Sequence, residues 1–351
     1  MSTTLNLTPK GLAFTRLFRA LVIAHGDWAE ARAYAEGQRW TNTPTVVTGL
    51  RSAVDAIDPT DAAAMLQPVA WDFAEYIRPL TILGRLQGMR RVAFDVPMLN
   101  QTGGATASWA EEAEPTPISA ASFGETQVLK RAKVTSAIVV PEELARSSNP
   151  AAELALRDDL GRAAAQAIDI AFIDPTNAGA TEKPASLTYG ATTSVSTGAT
   201  LANVDADLGA MVDSLTDLAV AHWIVHPRTA TSLSRLRGTG GALAYPTVNA
   251  RGGTLMGLPV IVSANVPMAG SPAETSIVLL DADGVALADD SQAEFEVARH
   301  ASIVMDDAPN TGAQQLVSLW QANMAALRVR RWLNWQARRA GIAAVLTGVT
   351  F

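Results

Sequence analysis

Residues 223–267 impose an order of events that narrows what the chain can fold into. A short apolar run at 223–225 reads as a buried strand and ends at His226-Pro227. Proline at the first turn of a helix costs no hydrogen bond, and Leu233 and Leu236 then mark the buried side of that helix. After a glycine-rich excursion, Gly257-Leu258-Pro259 leads into a second apolar run at 258–263. The expected unit is strand–helix–strand.

Composition limits the rest. The chain has 351 residues, enough for two domains that each bury a core. Hydrophobic residues make up 48 % and charged residues only 17 %, so either the core is large or much surface is hidden against neighbours. No run approaches the ~18 apolar residues that a membrane span requires. The best candidate, 12–25, is broken by Arg16 and Arg19 and reads as neither anchor nor signal peptide. With no cysteine, disulfides, thiolate metal sites and cysteine nucleophiles are excluded together. The net charge of −7 lacks the basic balance of a protein that grips nucleic acid directly. Only four of the 27 basic residues are lysines. Arginine suits bidentate carboxylate pairing at interfaces, and a GC-rich genome explains the bias equally well.

Along the chain, Leu12, Leu17, Leu21, Ala24, Trp28, Ala31 and Ala35 form an apolar stripe at helical spacing. Asp58-Pro59-Thr60-Asp61 caps a second helix from about residue 62. These helices either pack on their own domain or reach outward. From Arg91 the period changes to two: Val92, Phe94 and Val96 alternate as in a half-buried strand. Residues 100–104 signal a turn, 106–109 a return strand, and 126–140 a long strand. Between them lies an acidic, proline-broken stretch at 109–117, which cannot bury both faces within one chain. Pro150 opens a helix over 151–172, ~33 Å long at 1.5 Å per residue. Residues 189–200 read as a linker. Asn203 or Asp205 caps a helix burying Leu208, Met211, Val212, Leu215 and Leu218. Strands follow at 276–280, from 302, within 317–331 and at 342–349.

This order, with the acidic hairpin leading into Pro141-Glu142-Glu143-Leu144 and the run 165–174 closing the long helix, resembles the major capsid proteins of tailed bacteriophages, the Hong Kong 97 fold. Ala185 departs from the glycine usual in the family's turn after that helix. The resemblance implies an α+β subunit with an N-terminal arm (1–88) and an extended hairpin, the E-loop (89–140). It further implies a peripheral domain (141–194 and 316–351) with spine helix 151–172, and an axial domain (195–315). The implied function is self-assembly into pentamers and hexamers of an icosahedral shell around double-stranded DNA that is not bound sequence-specifically. Portal, scaffold or decoration proteins are the other implied partners. The implied place is the virion, assembled in the host cytoplasm, with no membrane, cofactor, metal or catalytic residue. Some relatives crosslink through a lysine near the hairpin tip; residues 101–120 contain none, so that chemistry is not expected here. The arm is expected to stay on the particle.

Intersubunit candidates are Trp109, Glu111, Glu112 and Glu114 of the acidic hairpin, opposite Arg328, Arg330 and Arg331, which lie beside Trp332 and Trp335. A solvated acidic loop is the plainer reading of the glutamates, and stacking on nucleic acid an alternative for the arginine–tryptophan segment. His222 and His226 would share a helix face, but their β-branched neighbours argue for a strand. Gly238-Thr239-Gly240-Gly241 lacks the Gly-Lys-Ser/Thr ending of a phosphate loop. Two rivals remain: an encapsulin-type shell around cargo proteins, and a soluble hydrolase for which four histidines and no cysteine supply no nucleophile–base set.

Overall fold

The computed structural model describes residues 9–38, 40, 43–55, 67–98, 101–103, 109, 122–123, 127–146, 150–238, 240–271, 273–305 and 316–351. The chain divides into two compact units and passes between them several times. The first holds residues 1–84, 133–167 and 291–332; the second holds 85–132, 168–290 and 333–351.

In the first unit, helices Leu12–Ile23, Trp28–Gly37, Pro44–Asp55 and Gln67–Ile77 bury their apolar stripes together. Phe14, Leu17, Leu21, Leu50 and Phe73 share one core with Leu160 and Ala164 of the long helix and with Val140, Leu327 and Val329 of two strands. Phe14 and Phe73 stack with ring centroids 4.4 Å apart. The segment expected to reach out as an arm therefore packs, over these helices, on its own unit: an apolar stripe that finds a complementary face in its own chain is buried there. Buried charges tie it in, Arg19 meeting Glu153 of the long helix at 2.8 Å and Arg16 meeting the same carboxylate at 3.5 Å. The strand Lys133–Pro141 pairs antiparallel with residues 324–332 of the strand Met324–Ala337.

The second unit is built on a sheet ordered Thr192–Val195, Ala343–Val349, Glu274–Asp281, Ala221–Val225, Leu258–Val262, Gly253–Leu255, with Met268–Ala269 beside Glu274–Asp281. The expected strand–helix–strand unit is present. Ala221–Val225 and Leu258–Val262 run parallel, joined through helix Pro227–Arg235, whose N-cap His226 accepts from the Arg228 amide. Trp223 and Val225 point to one face of the sheet, where Val204, Leu208 and Met211 of helix Leu201–Ser214 and Leu233 of helix Pro227–Arg235 cover them. That first helix is capped by Thr200, not by Asn203 or Asp205.

Other expectations shift. Residues 92–96 form no ladder: Asp95 takes a positive φ of 58° and its amide donates to the Leu129 carbonyl. Val92 and Phe94 still bury against Leu129, Ala286 and Ala288, which explains their alternation. The long strand expected over 126–140 is two, Gln127–Val128 pairing with Pro97–Met98 and Lys133–Pro141 pairing elsewhere. Inside the supposed linker, Thr192–Val195 is a parallel edge strand on Ala343–Val349. That terminal strand, grouped by sequence with 141–194, thus lies in the sheet of the 195–315 segment. The long helix spans Pro150–Ile173.

Candidate assembly surfaces

The arginine segment is governed by strand parity. Along Met324–Ala337, Leu327, Val329, Arg331, Leu333 and Trp335 fall on the buried side, while Arg328 and Arg330 fall on the other. Arg331 is only 8 % exposed, which corrects its expected place on an outer surface; a strand's two-residue period sends it inward with its apolar neighbours. Arg328 and Arg330 both meet Glu296, and Arg330 also approaches Glu294 at 3.9 Å. Burial raises the Glu296 carboxyl, but the two guanidiniums outweigh it and hold it below the usual carboxylate range. The acids beside these arginines therefore come from the neighbouring strand, a pairing that sequence spacing does not reveal.

Trp109 is fully exposed, at 104 % of a free tryptophan's surface. Glu111, Glu112 and Glu114 lie outside the described residues. Further exposed apolar side chains in the first unit are Trp71, Leu316 and Trp320. Large apolar side chains left in water in this way fit burial against another molecule.

The second unit has its own polar fixtures. Asp169 of the long helix is buried and accepts from Asn265 Nδ2 at 2.6 Å and Ser263 Oγ at 3.3 Å, which fixes the turn after Leu258–Val262. Trp335 donates its indole N–H to the Ala185 carbonyl at 2.8 Å and meets Phe172 edge-on. Trp335 and Ala185 border an open cavity of about 680 Å³ lined also by Tyr189 and Lys183. Arg339 pairs with Asp281 and reaches Asp217 and Asp283.

His222 is buried in its strand, with Nδ1 2.9 Å from the Val220 carbonyl, and burial lowers its pKa despite that bond. His226 caps the next helix. No cluster of metal-ligating side chains occurs among the described residues. In the glycine-rich excursion the Gly238 amide donates to the Ala242 carbonyl and that of Gly241 to the Gly238 carbonyl. No helix among the described residues is long and apolar enough to cross a membrane.

Comparison with known proteins adds a family. The family model described as "Phage capsid family" matches residues 78–332. The capsid polyprotein of Pseudomonas phage PAJU2 is 35 % identical over 97 % of this chain. The chain spans about half of that relative, 54 % of its length. The major capsid protein of Klebsiella oxytoca phage phiKO2 is 22 % identical over 91 % of this chain and 74 % of its own. A solved structure from Mycobacterium phage Ogopogo aligns with a TM-score of 0.55 at 18 % identity, covering 76 % of this chain and 92 % of that one. One from Gordonia phage Cozz gives 0.51 at 20 %, over 74 % and 84 %. At these identities the structures show a shared fold.

Proposed function

Because the chain belongs to the phage capsid family, we propose that it is the building block of a phage shell, with copies arranged as pentamers and hexamers of an icosahedral capsid that encloses double-stranded DNA. Its place is the virion, and its work is mechanical: the chain supplies surfaces, and no side-chain set in this reading performs chemistry. The acidic balance, 34 acidic against 27 basic residues, suits a wall that holds DNA without gripping it. Residues 89–140 act as the extended hairpin, 151–172 as the spine and 195–315 as the axial region. Portal, scaffold and decoration proteins would meet the shell from outside the subunit contacts.

Trp109 carries this reading. A fully exposed indole beside an acidic, proline-broken segment has no role in its own core, and tryptophan is the residue most enriched where protein surfaces bury each other. Arg328 and Arg330 remain assembly candidates through their exposed Glu296 cluster, and Glu111, Glu112 and Glu114 through their charge. Sedimentation velocity of the purified full chain tests the reading. Capsomer-sized or larger species are expected; a stable monomer at high concentration would overturn it.

A further inference from the structure

The second unit carries two helices whose exposed faces are oppositely charged. Helix Pro227–Arg235 exposes Arg228, Thr231 and Arg235, spaced three and four residues apart on one stripe. The excursion beyond it adds exposed Arg237 and Arg251. Arg237 donates to the Gly241 carbonyl, and none of the four makes an ion pair among the described residues. Helix Leu201–Ser214 exposes Ala202, Asp205, Ala206, Ala210 and Asp213. Asp205 is met only by the Tyr245 hydroxyl, at 3.2 Å, and Asp213 has no ion pair among the described residues.

Both helices cover the face of the sheet that bears Trp223 and Val225. Leu201–Ser214 lies against Ala343–Val349 and Thr192–Val195, at one side of the sheet. Pro227–Arg235 is the crossover between Ala221–Val225 and Leu258–Val262, toward the other side. Within one copy no ion pair joins the acidic and basic faces among the described residues, and the Tyr245 hydroxyl of the excursion reaches Asp205. Between two copies placed side by side, the two faces can touch.

We infer that the basic face of Pro227–Arg235 docks on the acidic, alanine-lined face of Leu201–Ser214 in a second copy of this chain, head to tail. The charges are complementary, and the small side chains let an arginine-bearing helix approach closely. A contact between unlike patches is heterologous and closes into a ring when the rotation per copy allows. Charges of this kind steer encounter and fix orientation more than they add raw affinity. Their effect fades with salt, because at about 0.15 M the screening length is only about 8 Å. The inference rests on the shell reading and adds which helices meet.

The test is a charge reversal in the full-length chain, followed by sedimentation velocity and electron microscopy at low and high salt. R228E/R235E should cut the assembled fraction about tenfold at low salt, and D205R/D213R should do the same. Combining all four reversals should restore assembly, because the swapped faces are again complementary. Circular dichroism confirms that each variant is folded; should a reversal unfold the chain, the milder R228Q/R235Q takes its place with the same expected direction. Unchanged assembly by folded R228E/R235E or R228Q/R235Q would overturn the inference, as would a folded fourfold variant that stays unassembled. A wild-type chain that fails to assemble would instead sink the shell reading itself.

Discussion

Trp223 has no exposed surface, and its indole N–H donates to the Leu255 carbonyl at 3.1 Å. Replacing it with alanine opens a cavity and strips that carbonyl of its partner, so Trp223→Ala should cost about 3–5 kcal/mol. A urea titration would read this as a lower midpoint with an unchanged slope. Tyr245 gives a prediction in pH. Burial and the Asp205 carboxylate push its hydroxyl up to about 12. The raised pKa means that the folded state holds the proton more tightly than the unfolded one. Its contribution to stability is therefore complete below about 10, the ordinary tyrosine value, and fades as pH rises toward 12. The absorbance difference between wild type and Tyr245→Phe should show one tyrosine titrating near 12; a difference centred at 10 would contradict the burial. Residue identity was legible in the sequence, but side-chain direction was not. Arg328, Arg330 and Arg331 read alike as letters, and only the strand's parity separates the buried one from its neighbours.

At the scale of elements, the legible parts were those with strong local periodicity. The long helix and the strand–helix–strand unit fall within a few residues of expectation, because a 3.6-residue stripe or a compact apolar run is written within a short window. Thr192–Val195 escaped notice since its parallel partner is Ala343–Val349, some 150 residues on, and a local reading sees only Gly, Ala, Ser and Thr. The N-terminal helices were recognised as amphipathic, while the face that receives them was not visible. Their attachment makes a testable claim. Glu153 is buried between Arg16 and Arg19, so Glu153→Ala leaves two guanidiniums without their carboxylate. Breaking a buried ion pair from one side costs about 3–5 kcal/mol. Thermal unfolding should show a large drop, whereas Glu36→Ala, which removes the exposed pairs to Arg32 and Arg51, should change little. Equal effects would mean that the helices are not anchored as described.

For the whole molecule, the low charge content of the composition fits the proposed burial of surface between copies. Exposed Trp71, Trp109, Trp320 and Leu316 would be removed from water inside an assembly. Deleting residues 101–119 should therefore leave circular dichroism and the unfolding midpoint close to those of the intact chain while abolishing large species in sedimentation. Loss of folding would show instead that the segment belongs to the subunit core. Without cysteine, and with no lysine at 101–120, assembled particles should run as single chains on a denaturing gel without reductant; a ladder of crosslinked multimers would refute that. The most direct measurement is electron cryomicroscopy of particles formed by the full-length chain. The account predicts closed shells in which Trp109 is covered by a neighbouring subunit. An absence of shells, or a Trp109 side chain buried within its own subunit, would contradict it.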